Sequence, residues 1–345
     1  AAVDWWAKDA TPTTELRRAS HSGDLPWPQF VEAYRAELTE RPEAVAAVEH
    51  LRHEALKRRV TLLFAGHDHV HCHARVLREA VLGGLLEVIE RDAIALTWLQ
   101  RLRLPEIVVD PAVLDPEVAE YHRVGTSTEL TVHLRDATTD YGIPILYAVQ
   151  TSEADTELSQ VVAATCDLDP QRALAKIYRE LASLRIALRS HARGPRAQEI
   201  KGQDLTVVGG ALADAELSMR HVFDFLLEGE RPVHALDGIG TLTAPSAGAG
   251  GSGSPDGSGG PDPLEQVVAN LERAGAEAIV VDITTDEARQ VGMHVIKALI
   301  PEAMPLSFSH HARYLATPRL YQAPRAMGLT AHDEEGINPV RQPFA

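Results

Sequence analysis

Apolar residues recur along the chain with two different periods, and this pattern predicts a mixture of helices and strands. In residues 26–58 they recur every three or four positions, which predicts two helices. The short apolar run VTLLFAG at 60–66 ends in glycine and is typical of a buried strand. The segment from about Ala74 to Leu102 has a broad apolar face and predicts one long helix, interrupted at Gly83 and Gly84.

The second half of the chain continues this mixture. Residues 130–150 read as strand, turn and strand, and residues 161–168 as a further strand. An Asp-Pro pair opens a predicted helix over 169–192. A further helix is expected over 214–227, and LEQVVANLERAGAEAIVVDITT predicts helix then strand. The last 40 residues are rich in proline and are expected to be irregular.

Low-complexity composition marks residues 243–263, TAPSAGAGGSGSPDGSGGPDP. Glycine, serine and proline cannot bury apolar area, so we expect a disordered surface insertion here. It is not a phosphate-binding loop, because it lacks GK[ST] and a preceding strand.

Composition narrows the classes of function. The 345 residues are 45% hydrophobic, which is enough for a sizeable core. The net charge of -16 disfavours binding to nucleic acid or to an anionic membrane surface. No apolar run approaches the roughly 18–20 residues that span a bilayer. Two cysteines, far apart in sequence, do not build a disulfide framework, so we expect a cytoplasmic protein.

A histidine-rich stretch, AGHDHVHCHARV at 65–76, is the first candidate for chemistry. Its strict alternation would spread the side chains along one face of a strand, and no HExxH or paired CxxC motif accompanies it. A polar loop between strand and helix is therefore favoured. The alternative is a metal site formed by His67, Asp68, His71 and His73.

Three carboxylates on the predicted long helix form the second candidate. Glu79, Glu87 and Glu90 are spaced by eight and three residues, which places them within about 80° of one another around a helix axis. Such a stripe suits Mg²⁺ held by acids together with substrate phosphates. A solvated acidic face is the competing explanation and is the commoner one on spacing alone.

The predicted helix at 169–192 carries charges of both signs. Glu180 and Arg185 could line a site, while Lys176 and Arg179 alternate with them. Surface pairs at i,i+3 and i,i+4 are the commoner explanation. Cys166 has no base close to it in sequence, which favours a buried structural thiol over a nucleophile.

Five segments between Arg78 and the C-terminus resemble the C-terminal two-thirds of a YcaO-type domain, in the order of that family. They are REAVLGGLLEVIERDAIALTW, TTDYGIPILYAVQ, CDLDPQRALAKIYRELASLR, VVDITTDEARQVGMHVIKALIPEAMPLSF and ARYLATPRLYQAP. The resemblance implies an α/β (mixed α+β) fold of layered sheet and helices.

The same resemblance implies a function and cofactors. YcaO-type enzymes use ATP and Mg²⁺ to activate a peptide backbone amide, forming azoline rings, thioamides or related groups in ribosomally made peptides or proteins. It implies Mg²⁺ ligands at Glu79, Glu87 and Glu90, and nucleotide contacts from these and Arg91. Glu180 and Arg319 are weaker candidates for the nucleotide site.

Expected partners are a peptide substrate or a protein that binds its leader, and a homodimer is compatible with the sequence. The N-terminal third of the family, with its own nucleotide and Mg²⁺ residues, has no counterpart here, and the C-terminal PxPHPFP-like motif is changed to NPVRQPFA. A non-catalytic scaffold that binds a peptide or partner is therefore the alternative function.

Residues 1–77 resemble a different family, the small uncharacterised YeaO-like proteins. The matching segments are AAVDWWAKDATPTTELRR, WPQFVEAYRAEL and RVTLLFAGHDHVHCHARVLRE. The chain is thus expected to join a YeaO-like α/β fragment at 1–77 to a YcaO-like domain at 78–345. The histidine-rich stretch lies at the end of the first part.

Overall fold

A computed structural model describes residues 8–21, 25–55, 73–126, 129–193, 207–239, 262–285, 287–288, 293–307 and 309–344. These residues form two compact units. The first contains the described residues up to Val81 and those of 280–297. The second contains the described residues of 82–279 and of 298–344.

Helices and short strands alternate along the described chain, as a mixed α+β protein requires. The α-helices are α1 Thr14–His21, α2 Trp27–Glu40, α3 Pro42–Ala55, α4 His73–Leu99, α5 Pro116–Thr126, α6 Pro170–Ala192, α7 Val207–Asp214, α8 Asp224–Leu227, α9 Pro263–Arg273 and α10 Pro318–Ala326. The strands are β1 Glu106–Val108, β2 Leu130–Asp136, β3 Ile145–Ser152, β4 Gln160–Cys166, β5 Val233–Ala235, β6 Ile279–Asp282 and β7 Ile296–Leu299.

Polar contacts hold helices α1 and α2 of the first unit in place. Glu37 on α2 accepts a hydrogen bond from the amide of Thr13, 2.8 Å away, just before α1 begins. Tyr34 on α2 donates to the carbonyl of Ala10. The two helices predicted over 26–58 are confirmed as α2 and α3. The strand predicted at 60–66 lies outside the described residues.

A five-stranded sheet in the order β4-β3-β2-β1-β5 organises the second unit. Neighbours are antiparallel except β1 and β5, which are parallel. All eight residues of β3 are buried, so both faces of the sheet are covered at its centre. The strands predicted at 130–150 and 161–168 are confirmed as β2, β3 and β4.

Alternate residues of β3 enter different parts of the core, because strand side chains point to opposite faces in turn. Leu146 and Ala148 belong to an apolar cluster that includes the inner face of α6. Tyr147 points the other way, and its ring lies 5.3 Å from that of Phe344 near the C-terminus. The sheet therefore separates two layers of packed side chains.

Helix α6 begins where the Asp-Pro pair predicts. The carboxylate of Asp169 accepts from the amide of Gln171, and Pro170 occupies the first helical position, where its missing N–H costs no hydrogen bond. The predicted long helix is confirmed as α4, but the interruption predicted at Gly83 and Gly84 is wrong, because α4 continues through both residues.

Helix α4 ends at Leu99, three residues before the predicted end. Arg101 takes a left-handed conformation, φ 48°, and the amide of Leu102 bonds back to the carbonyl of Thr97, 3.0 Å away. This pattern terminates helices, although glycine usually occupies the left-handed position. Here the Arg101 guanidinium donates to the carbonyl of Gly336, 2.9 Å away.

The helix predicted over 214–227 is wrong. Helix α7 ends at Asp214, and the chain continues as a 3₁₀ segment, Leu217–Phe223, before the four-residue α8. The side chain of Gln160 on β4 donates to the carbonyls of Asp214 and Glu216. These carbonyls bond to the sheet and not along a helix, so tertiary contacts override the local pattern.

The C-terminal 40 residues and the predicted insertion at 243–263 contain or adjoin further helices. The last 40 residues are not wholly irregular, because α10 begins there at Pro318, a residue suited to the first turn of a helix. Most of the predicted insertion at 243–263 lies outside the described residues, but Pro263 begins helix α9. Among the helices that the structure describes, none is long and apolar enough to cross a membrane.

Gly125 tests the packing of α5 on α6. A Cβ built at Gly125 would lie 2.3 Å from the ring of Tyr178. We expect Gly125→Ala to lower the free energy of unfolding by about 1–3 kcal/mol, because the ring must shift. Gly83→Ala in α4 is the matched control, since a Cβ there has nothing within 4 Å. The free energy of unfolding of Gly83→Ala should rise by about 0.5–1 kcal/mol, because alanine is favoured over glycine within a helix. Equal effects in urea denaturation would contradict this packing.

Candidate functional site

The carboxylate of Glu90 is the centre of the candidate site in the second unit. Glu90 lies on α4 and is 9% exposed. One of its oxygens, Oε2, accepts from the amide of Cys166, 2.8 Å away, and from the Lys176 ammonium, 3.2 Å away. Because β4 is an edge strand of the sheet, some of its amides have no strand partner, and Glu90 satisfies one of them. The site thus joins α4, β4 and α6.

Burial of Glu90 changes its acidity. Loss of hydration raises the pKa of Glu90 from 4.5 to about 7, and the positive charge of Lys176 offsets part of that rise. Two neighbouring carboxylates, Glu87 and Glu180, repel a negative charge on Glu90 and raise the pKa further. The neighbours of Glu90 thus offset only part of the cost of burying its negative charge. Strongly shifted pKa values of this kind are common at functional sites.

Lys176 links Glu90 to a second carboxylate. Its Nζ lies 3.6 Å from Oε1 of Glu180, one turn further along α6. Burial raises the pKa of Glu180, and repulsion from Glu87 adds to this, while Lys176 opposes it. Burial also acts to lower the pKa of Lys176, but attraction to Glu90 and Glu180 outweighs it and leaves that pKa above its ordinary value. Lys176 is therefore charged at neutral pH.

Glu87 supplies the third carboxylate, on the more exposed side of α4. It pairs with Arg91 one turn later, with a distance of 2.8 Å between Arg91 Nη2 and Glu87 Oε1. Both side chains are about half exposed, so the pair contributes little to stability. Its importance is electrostatic, because Glu87 lies close enough to raise the pKa of both Glu90 and Glu180.

Of the predicted site residues, Glu87, Glu90, Arg91 and Glu180 form this one connected group. Glu79 is exposed and belongs to the first unit. The stretch 67–72 lies outside the described residues. His73 begins α4, but its side chain is not among those described, so the alternative metal site of His67, Asp68, His71 and His73 is untested.

Arg319 makes a different set of contacts. Its Nε and Nη2 donate to the two oxygens of Asp92, at 2.7 and 2.8 Å, and Nη2 also bonds to Asp140. The guanidinium carbon lies 3.7 Å from the ring centroid of Tyr141. Asp92 is fully buried and also accepts from the amide of Met304. Burial raises the pKa of Asp92, and Arg319 and Met304 oppose that rise.

Arg185, proposed beside Glu180 from sequence, faces elsewhere. Its Nε donates to the side chain of Gln150, 2.7 Å away, and its Nη1 to the carbonyl of Leu158. Cys166 contributes its backbone amide to the site, and its thiol is buried with a pKa raised well above the usual range. This agrees with the prediction of a structural thiol.

Lys176 is the member that sequence reasoning missed. Its spacing from Glu180 is i,i+4 and predicts only a surface pair. The contact with Glu90 crosses 86 residues of sequence, and a helical pattern contains no information about it. Among the described residues, no three His, Cys, Asp or Glu side chains are arranged to hold a metal ion directly. The ammonium of Lys176 instead bonds to Glu90 and Glu180.

Two family models match the chain. One, described as YcaO cyclodehydratase, ATP- and Mg²⁺-binding, matches residues 72–304. The other, a domain of unknown function, DUF488, matches residues 2–81.

Two curated proteins match parts of the chain. An uncharacterised protein in the tfuA 3′ region of Rhizobium leguminosarum bv. trifolii is 38% identical over 120 residues, which cover 31% of this chain and 28% of that protein. The uncharacterised protein YeaO of Escherichia coli K12 is 36% identical over 78 residues, which cover 23% of this chain and 65% of YeaO. The chain spans less than two thirds of either relative.

Solved structures are similar in fold. A heterocyclase in complex with substrate and cofactor has a TM-score of 0.55 and 21% identity, covering 78% of this chain and 32% of that one. The E. coli microcin synthetase McbBCD complex has a TM-score of 0.50 and 14% identity, covering 78% and 61%. At such identities the likeness shows the fold alone, and it confirms the predicted mixed α+β architecture.

The raised pKa of Glu90 predicts a pH-dependent stability. The pKa of Glu90 is about 7 in the folded protein and about 4.5 in the unfolded chain. The contribution of Glu90 to the free energy of unfolding is therefore complete below about pH 4.5 and is lost as the pH rises through 7. The free energy of unfolding of the wild type, relative to Glu90→Gln, should fall between pH 5 and 8 by at most about 3 kcal/mol. Urea denaturation at several pH values measures this, and a constant difference would contradict it.

The contacts of Arg319 predict a large effect on stability. Arg319→Met leaves the fully buried Asp92 without its guanidinium and should lower the free energy of unfolding by about 3–5 kcal/mol. Arg325→Met, an exposed position on the same helix, should change it by less than about 0.5 kcal/mol. Similar values for the two variants in urea denaturation would contradict the structural importance of the Asp92 pair.

Proposed function

The chain belongs to the YcaO family, and from that premise we propose that it activates a backbone amide of a peptide at the expense of ATP. ATP and Mg²⁺ are the cofactors of this family. The proposed outcome is an azoline ring, a thioamide or a related modification of a ribosomally made peptide or protein. The group of Glu87, Glu90 and Glu180 around Lys176 is the observation that carries the proposal.

Two carboxylates of this group, Glu90 and Glu180, suit a divalent cation whose remaining ligands are phosphate oxygens and water. Carboxylate oxygens are the hard ligands that Mg²⁺ prefers. Burial and mutual repulsion raise the pKa of Glu90 and Glu180, so both would gain from a nearby positive charge. Mg²⁺ would also offset the repulsion between nucleotide phosphates and a chain of net charge -16.

Each residue has a distinct proposed role. Glu90 and Glu180 would hold the cation, and the Cys166 amide fixes the Glu90 carboxylate in one orientation. Glu87 would contribute at the exposed side, and Arg91 beside it would face the phosphates. Bound ATP would supply the phosphoryl group that activates the amide oxygen, and Mg²⁺ would neutralise charge on its phosphates. Electrostatic stabilisation and positioning are the main contributions that a protein makes to such chemistry.

Glu79 and Arg319 are the less supported members of the proposed nucleotide site. Glu79 shares α4 with Glu87 and Glu90 but belongs to the first unit. The guanidinium nitrogens of Arg319 already bond to Asp92 and Asp140, so Arg319 would have to leave at least one carboxylate to bind a phosphate.

The partners and the domain arrangement are also proposals. The E. coli microcin synthetase is a multi-protein complex, and a structure of it has pro-MccB17 bound. By analogy, we propose a peptide substrate and a leader-binding partner protein for this chain, working in the cytoplasm. We further propose a YeaO-like fragment at 1–77 joined to the YcaO-like part at 78–345.

One observation favours a non-catalytic scaffold as the second candidate. The nucleotide residues of the family's N-terminal third have no counterpart in this sequence, where a YeaO-like segment precedes the YcaO-like part. In this alternative the fold binds a peptide or a partner protein and does not turn over ATP. Nucleotide binding separates the two candidates.

Titration calorimetry with ATP and Mg²⁺ tests the proposal. We expect the wild type to bind, and Glu87→Gln and Glu90→Gln to weaken binding at least about tenfold, because each loses a metal-facing charge. Glu117→Gln, an exposed glutamate on α5, is the control and should bind like the wild type. No binding, or binding indifferent to both changes, would contradict the enzyme and favour the scaffold.

A further inference from the structure

Lys176 occupies the space between two carboxylates that come from different helices. Its Nζ lies 3.2 Å from Glu90 Oε2 on α4 and 3.6 Å from Glu180 Oε1 on α6. The side chain is 36% exposed, so its stem is partly buried and its head reaches the edge of the site. A lysine head is a compact point charge on a flexible stem, unlike the rigid fork of arginine.

Lys176 lies among three carboxylates and is the cation bonded to two of them. Glu87, Glu90 and Glu180 contribute three negative charges when ionised. Arg91 bonds to Glu87. Arg179 lies over the ring of Tyr121, and its positive charge lowers the pKa of Glu180 from a distance. Lys176 is therefore the cation that contacts both inner carboxylates, and without it their repulsion would act across a partly buried space.

A single ammonium cannot coexist with a divalent cation on the same two carboxylates. Both need the same oxygens, and like charges a few ångströms apart repel strongly away from bulk water. Whichever binds more favourably must displace the other. The flexible stem gives Lys176 a way to leave that costs no change in the backbone.

We propose that Lys176 is the built-in counter-cation of the metal-free site, and that a divalent cation displaces its ammonium from Glu90 and Glu180. The inference rests on the proposed function, since it assumes that these carboxylates hold the metal. Displacement frees a positive charge beside the metal, where an anionic ligand such as a nucleotide phosphate can pair with it. Metal alone then binds weakly, and metal with nucleotide binds more tightly, as reciprocal coupling requires.

Three variants separate this role from a general loss of charge. Lys176→Met removes the charge and keeps an unbranched stem, and Lys176→Arg keeps the charge. Arg172→Met removes a cation from the same helix one turn earlier, where Arg172 pairs with Asp167 and not with the candidate site. Binding of Mn²⁺ alone is measured by the electron paramagnetic resonance signal of the free ion, with and without ATP. Urea denaturation in EDTA measures metal-free stability.

Lys176→Met should bind Mn²⁺ alone at least about tenfold more tightly than the wild type, because a charge at this distance shifts equilibria by one logarithmic unit or more. ATP should tighten Mn²⁺ binding less in Lys176→Met than in the wild type. In EDTA this variant should unfold at lower urea concentration. Lys176→Arg should bind Mn²⁺ with an affinity closer to that of the wild type than Lys176→Met does. Arg172→Met should bind Mn²⁺ as the wild type does.

Unchanged or weaker Mn²⁺ binding by a folded Lys176→Met would overturn the proposal, as would an equal gain in Arg172→Met. The failure of the proposed function looks different. In that case the wild type binds neither ATP with Mg²⁺ nor Mn²⁺ with ATP. If a folded Lys176→Met then binds no metal either, the proposed function and the displacement both fail. Metal binding that appears only in Lys176→Met would support the displacement even when nucleotide binding is absent.

Discussion

Glu90 places a carboxylate in the interior of the second unit, and its neighbours compensate for the lost hydration only in part. The amide of Cys166 and the ammonium of Lys176 both bond to its Oε2, which ties α4 to β4 and α6. Burial still raises its pKa to about 7. An isolated buried charge is costly, so a group held in this state retains a strong preference for a further cation. The candidate site follows from that unmet preference more than from any motif.

Two residues further along α4, Asp92 shows the opposite situation. It is fully buried, but Arg319 contacts both of its oxygens, Met304 adds an amide hydrogen bond, and Asp140 shares the guanidinium. Removing one partner of such a pair is strongly destabilising, whereas the pair itself leaves little free capacity to bind a ligand. Helix α4 therefore carries two buried carboxylates with different roles. Asp92 forms an ion pair that stabilises the fold, whereas Glu90 keeps the capacity to bind a further cation.

Local signals predicted the elements that local interactions determine. The Asp169-Pro170 pair located the start of α6, and apolar runs separated by turn residues located β2, β3 and β4. The spacing of Glu87 and Glu90 predicted two members of the candidate site, and family resemblance favoured them over a solvated acidic face. Local sequence patterns do not predict contacts between residues that are far apart in the chain. Sequence spacing predicts neither the bond from Lys176 to Glu90 nor the pairing of Arg319 with Asp92. The helix predicted at 214–227 is absent where the side chain of Gln160 binds the carbonyls of Asp214 and Glu216.

The central proposal is that Glu90 and Glu180 hold the divalent cation that accompanies ATP in this YcaO protein. A crystal structure with Mn²⁺ and a non-hydrolysable ATP analogue tests it most directly, because Mn²⁺ gives an anomalous signal that locates the ion. We expect an anomalous peak bonded to the carboxylates of Glu90 and Glu180, with the Lys176 ammonium moved away from both. A peak elsewhere, or a bound nucleotide with Lys176 still bonded to Glu90, would contradict the account.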